Sequence, residues 1–115
     1  MPQHCTHLAS QARARFDWRL VQEARYPPIG DLAVIGDSRS IALVSRSGSI
    51  DWWCLPRFDG DAVFARLLDA ERGGSFEISP DTEFEATRAY IEDTNVLITH
   101  FRTRLGEVKL TDFMP

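Results

Sequence analysis

Cysteine is scarce in this sequence, long apolar runs are missing, and no stretch concentrates basic charge. The two cysteines are Cys5, near the start of the chain, and Cys54, inside a tryptophan-rich stretch. That is too few for a disulfide-framed scaffold, and reduced thiols are expected. No apolar run approaches the length of a membrane span, so no membrane partner is expected. The opening "MPQHCTHLASQARARFDWRL" has no continuous apolar stretch of the kind a secretory signal carries. Its arginines hint at a transit peptide, but Asp17 and Glu23 count against one, and a cytoplasmic location is expected. The formal net charge is -4 and no long basic run appears, so no nucleic-acid partner is expected, because neutralising phosphates takes clustered Lys and Arg. "GDLAVIGDS" repeats Ile-Gly-Asp but lacks the Gly-Lys-Ser/Thr step of a phosphate loop, so Gly30 and Gly36 read as turn glycines. No cofactor is expected.

What is present is the composition of one soluble globular domain: 115 residues, 43% hydrophobic and 26% charged. In residues 1–25, Leu8, Ala12, Phe16, Leu20, Val21 and Ala24 recur at helical spacing until Pro27 and Pro28 intervene. A helical or disordered extension over those residues is expected ahead of a domain over residues 26–115. From Leu32 onward the pattern is that of strands: "LAVIGD", "SIALVS", "SIDWWC", "SFEIS", "TRAYI", "TNVLITHFRT" and "VKLTDFM". "RSGS" and "RLGE" read as hairpin turns, Gly48 supplying the positive φ in the first. Pro56 ends the Trp-rich strand because it removes a ladder donor. Asp61 reads as the N-cap of one short helix, "AVFARLLDAER", with Val63, Phe64, Leu67 and Leu68 as its apolar stripe and Gly73 and Gly74 as its stop. Apolar residues on both faces of "NVLITHFRT" predict a strand covered on both sides. The sum is a mostly β protein, an antiparallel β-sandwich with one short helix and no βαβ alternation. The chain halts at "LTDFMP", where Asp112, Phe113 and Met114 read as the interior of an element, so the natural domain is expected to continue.

The candidate chemistry concentrates in "GSIDWWCLPRFDGDAVF", residues 48–64. Asp51, Asp59 and Asp61 are carboxylates close in sequence, as acid–base hydrolysis of a glycosidic bond requires, but spacing along a loop does not fix their separation. They read rather as structural residues, Asp59 and Asp61 as turn and cap residues and Asp51 as a partner of Arg57 or of the hairpin backbone. Trp52, Trp53 and Phe58 can form an aromatic platform for a sugar ring, with Arg57 and Asp59 hydrogen-bonding its hydroxyls. They can equally fill the core and the underside of the helix. "HCTH", residues 4–7, has metal-ligand residue types but no second ligand pair, and no metal site is expected. His100 stands alone on a strand and reads as structural.

Several blocks together are specific: "PIGDLAVIGD", "LVSRSGSIDWWCLPRFD", "DTNVL" and the closing "GEVKLTDFMP". Over about residues 28–115 they resemble the N-terminal region of bacterial glycoside hydrolase family 15 proteins, the trehalase-like and glucoamylase-like enzymes. The resemblance implies a β-sandwich preceding an (α/α)6 catalytic barrel, whose two glutamates invert the anomeric carbon of an α-glucoside. It implies that this chain carries no catalytic residue, and that its partners are that C-terminal barrel and a trehalose or other α-glucoside substrate. It also implies a sandwich longer than the present sequence. Within it, the Pro56–Asp61 loop is expected to face the barrel, with Arg57 and Asp59 as polar contacts and Trp53 or Phe58 as aromatic ones. The alternative is a stand-alone saccharide-binding or interaction module without catalysis.

Overall fold

A computed structural model describes residues 26–115. The expected helix over Leu8–Ala24, the His4–His7 group and Cys5 lie outside the described residues. A short 3-10 turn, Ile29–Asp31, leads into eight strands: β1 Ala33–Gly36, β2 Ile41–Val44, β3 Ser49–Leu55, β4 Asp61–Phe64, β5 Phe76–Glu77, β6 Glu85–Tyr90, β7 Leu97–Arg102 and β8 Glu107–Asp112. They form two antiparallel sheets. The larger runs β1-β2-β3-β4 with β5 also on β3, and the smaller runs β6-β7-β8. The antiparallel β architecture read from the sequence is thus the one observed.

The apolar faces of the two sheets meet. Ala33, Ile35, Ala42 and Val44 of the larger sheet enclose Leu97 of the smaller, with Ile50, Trp53 and Met114 packed around them. A second cluster, Phe84, Ala86 and Phe101 with Leu110, fills the other part of the smaller sheet's inner face. Phe84 meets Phe101 edge to face at 5.2 Å and 85°, the arrangement that aromatic quadrupoles favour.

Polar links also join the sheets. Arg88 on β6 donates to the carbonyl oxygens of Val44, at 3.0 Å, and Asp31, while Arg46 pairs with the Asp31 carboxylate at 3.0 Å. Burial, and next the charge of Arg46, lowers the Arg88 pKa from the usual arginine value. The Tyr90 hydroxyl donates to Val34 O at 2.7 Å and accepts from Val34 N at 3.0 Å, so one side chain of the smaller sheet satisfies the middle of edge strand β1.

The adjacent tryptophans are explained by β-bulges. In the β2–β3 register Leu43 faces Trp52 and Val44 faces Ile50, so Asp51 is an inserted residue. Ile50 and Trp53 are three apart, an odd spacing that would place them on opposite faces of a regular strand. The insertion puts both against the core, and Trp52 keeps the other face. A second irregularity, between Trp53 and Cys54, makes Val63 the extra residue on β4.

Three expectations are corrected. The helix over "AVFARLLDAER" does not form: Asp61–Phe64 is β4, so Asp61 begins a strand rather than capping a helix, and turns follow. Phe64 is claimed by Trp53 across the ladder, and Ala65 N and Arg66 N donate to Gly73 O and Gly74 O, closing a loop where a helix would propagate. Val63 and Leu68, two members of the supposed apolar stripe, are exposed. Second, β7 is covered on one face only: Leu97, Thr99 and Phe101 are buried, while Ile98 is half-buried and His100 exposed. Third, the acid inside β3 does not partner Arg57. The Ser49 hydroxyl donates to Asp51 at 2.5 Å and Arg66 lies 3.8 Å away.

Candidate functional site

Two connections converge at one end of the larger sheet. The first is the β1–β2 turn. Asp37 Oδ1 accepts from the backbone N–H groups of Ser40 and Arg39, each at 2.8 Å, and these bonds, Ser40 first, hold its carboxyl below the usual carboxylate value. Ser38 takes φ 72° within that turn. The second is the loop from Pro56 to Gly60, entered through a cis Leu55–Pro56 peptide. Phe58 N donates to Arg39 O and Gly60 N to Arg57 O, both at 2.9 Å. A Cβ on Gly60 would stand 2.5 Å from Leu55 O, so the loop closes this tightly only with glycine there. Ser40 Oγ, also from the first turn, donates to Cys54 O at 2.5 Å. Cys54 itself is a free, buried thiol.

This framework presents Arg57, Phe58 and Asp59 to solvent. Arg57 Nε stands 3.4 Å from Asp59 Oδ1, with both side chains about two-thirds exposed, and the Phe58 ring is 60% exposed. Such a pair is worth little to stability, since solvent screens it and both side chains lose rotamer freedom in making it. An exposed aromatic ring flanked by an acceptor pair and a donor fork suits a ligand with an apolar face and hydroxyl edges. Trp53 is placed elsewhere. It packs on the core and lies 6.2 Å from Phe64, ring to ring, with its Nε1–H enclosed and without a partner among the described residues. Three of the four expected site residues therefore share one loop, and the fourth lies on the adjoining strand.

The carboxylates do not form a catalytic pair in this arrangement. Asp51 is 2% exposed and tied to Ser49 and Arg66, Asp59 is paired with Arg57, and Asp61 starts β4 opposite Leu55. Among the described residues no group of three or more His, Cys, Asp or Glu is placed to hold a metal. No helix of the described residues is long and apolar enough to cross a membrane. Arg39 was not singled out from the sequence. The Asp37–Ser40 turn that presents it has an Asp-Ser-Arg-Ser signature, but the contact with Phe58 joins residues 19 apart and leaves no local trace. A separate groove of about 490 Å3 runs between residues 78–82 and 103–108, floored by Phe101.

Comparison with known proteins places this arrangement in a wider group. The trehalase-like, N-terminal family matches residues 13–115. A trehalase of Thermoplasma volcanium is 40% identical over 119 aligned residues, covering 100% of this chain and 19% of that protein. A trehalase of Thermoplasma acidophilum is 48% identical over 77 residues, covering 64% of this chain and 13% of that protein. One from Mycolicibacterium smegmatis is 35% identical over 89 residues, covering 76% and 13%. The chain thus spans 13% to 19% of the length of these relatives. No solved structure matches significantly. The family match over residues 13–115, which spans both sheets and the Pro56–Gly60 loop, makes this chain a member of the trehalase-like N-terminal domain family.

Proposed function

We propose that this chain is the N-terminal β-sandwich portion of an inverting glycoside hydrolase of family 15 type that acts on α-glucosides, with trehalose the favoured substrate. In this reading residues 1–25 form an extension, residues 26–115 the sandwich, and hydrolysis belongs to a C-terminal (α/α)6 barrel. Support comes from relatives whose names are trehalase and whose lengths are several times that of this chain. A glucoamylase-type preference for starch oligosaccharides is the other member of the same class. The reading includes cytoplasmic residence, in keeping with the free Cys54 thiol.

The observation that carries a role for this chain in sugar handling is the Pro56–Gly60 loop, which exposes Phe58 between Arg57 and Asp59 while its backbone is tied down at Arg39 and Arg57. We assign Arg57 and Asp59 to substrate hydroxyls at the mouth of the barrel and Phe58 to the sugar face. Trp53, the alternative aromatic expected from the sequence, packs on the core with its Nε1–H enclosed, and its part in this reading is to support the loop from the adjoining strand. Hydrogen bonds to a charged group contribute about 1.5–3 kcal/mol each when buried by a ligand. In the full-length enzyme Arg57→Ala should therefore lower kcat/KM roughly 10- to 100-fold. The thermal midpoint should stay near wild type, because the Arg57–Asp59 pair is exposed. Wild-type kinetics in a folded Arg57→Ala enzyme would refute the assignment.

A further inference from the structure

The Pro56–Gly60 loop takes its support from outside itself. Inside it, Gly60 N donates to Arg57 O, and the Arg57–Asp59 pair is exposed and screened by solvent, so it holds little. The base of the loop closes through the pairing of Leu55 with Asp61 and is reinforced by Ser40 Oγ, which donates to Cys54 O at 2.5 Å from a residue only 3% exposed. Among the described residues, the tip is tied to another element by one hydrogen bond, Phe58 N to Arg39 O at 2.9 Å. Both outside ties therefore come from two adjacent residues of the β1–β2 turn.

The turn is organised by one carboxylate oxygen. Asp37 Oδ1 accepts from Arg39 N and from Ser40 N, each at 2.8 Å. Arg39 O and Ser40 N belong to the same planar peptide unit, so its two ends cannot turn independently. At one end that unit donates to Asp37, and at the other it accepts from Phe58 N. Bonds in such a chain polarise one another, each strengthening the next. The carboxylate also holds the turn against its own strain, because Ser38 sits in the left-handed region at φ 72°. The backbone closure, Asp37 N to Ser40 O, is long at 3.3 Å. Without the carboxylate, Ser38 can relax and rotate the Arg39–Ser40 peptide away from Phe58.

We infer that Asp37 is a positioning residue for the Pro56–Gly60 loop: its carboxylate fixes the plane of the Arg39–Ser40 peptide, and that plane sets where Phe58 stands, with Arg57 and Asp59 on either side of it. Asp37 acts through Arg39 and needs no contact with a sugar. Its effect on turnover rests on the sugar-handling reading of the loop; its effect on the geometry of the loop does not.

The test compares Asp37→Ala with Asp37→Asn, which keeps the Oδ1 acceptor and removes the charge. Amide hydrogen exchange on the whole chain, read residue by residue by NMR, reports the geometry. In Asp37→Ala the Phe58 amide should exchange roughly tenfold faster with the β7 amides unchanged, and Asp37→Asn should stay close to wild type. Unaltered Phe58 exchange in Asp37→Ala would overturn the inference. Equal acceleration at Phe58 and across β7 would overturn it too, because Asp37 would then serve only general stability. In the full-length enzyme Asp37→Ala should lower kcat/KM roughly tenfold, with most of the loss restored in Asp37→Asn. Arg57→Ala separates the two failures. If Arg57→Ala is impaired and Asp37→Ala turns over as wild type, the positioning role falls. If both are silent, the sugar-handling reading fails, and Phe58 exchange alone decides whether Asp37 positions the loop.

Discussion

Gly48 offers the sharpest test of how the two sheets are joined. It closes the β2–β3 hairpin with φ +82°, donating to Ser45 O at 3.1 Å and accepting from Ile78 N at 3.2 Å. An L-residue held in the left-handed region costs about 1–2 kcal/mol. A Cβ there would also stand 2.4 Å from Ile78 O, 3.0 Å from Phe101 Cζ and 3.2 Å from Leu110 Cδ2. The carbonyl oxygen is backbone and Phe101 is 1% exposed, so neither neighbour can step aside cheaply. Overpacking of this kind costs about 1–3 kcal/mol. Gly48→Ala should thus lose about 2–5 kcal/mol, a large share of the stability of a domain this size. At about 4–8 °C per kcal/mol, the thermal midpoint should fall by at least about 8 °C. Gly106→Ala is the control, because its Cβ meets nothing within 4 Å and its turn needs no positive φ. It should change stability by no more than about 0.5 kcal/mol. Matched chemical and thermal denaturation of the two variants decides the matter. Equal midpoints would refute the claim that the hairpin is wedged against Phe101 and Ile78.

Burial raises the pKa of the Asp112 carboxyl, whose Oδ2 has no partner among the described residues. Its protonated form is therefore the one the fold prefers, and stability should decline as pH rises from the ordinary aspartate range through the raised value. Asp112→Asn should be more stable than wild type at neutral pH, with the difference closing in acid; denaturation midpoints across pH would show it, and a gap of the opposite sign would contradict it. Tyr90→Phe removes both bonds to Val34 and should cost about 1 kcal/mol while raising the aggregation rate, since the middle of β1 is then bare. Light scattering during controlled heating would measure the second effect, and an unchanged aggregation rate would count against the edge-capping role.

Most of the strand order is legible in the sequence because its signals are local. β-branched runs at residues 33–36 and 41–44, the Gly48 turn and the "RLGE" turn each announce themselves within a few residues. The Val63–Leu68 stripe misleads because Val63, Phe64, Leu67 and Leu68 satisfy a helical period. What overrides it is Trp53, eleven residues earlier, claiming Phe64 across the ladder. The bulge at Asp51 is likewise set by pairing with β2, not by anything in β3 alone. The arrangement of the candidate site residues is legible to the same extent. Arg57, Phe58 and Asp59 are neighbours in sequence and stay neighbours in space. Their support from Arg39 and the inward placement of Trp53 depend on contacts between segments.

Tyr90 ties together two properties that are separate in most sheets. Its hydroxyl acts as a one-residue substitute strand for β1, but it is supplied by the opposite layer, 56 residues away in the chain. The β1 edge is therefore protected only while the layers stay in register. A thermal fluctuation that slides the smaller sheet a few ångströms would leave every ladder bond of the larger sheet intact and still release Val34. The same slide would pull Arg88 from Val44 O and Asp31 O, so exposure of the β1 edge is coupled to loss of the buried links between the layers.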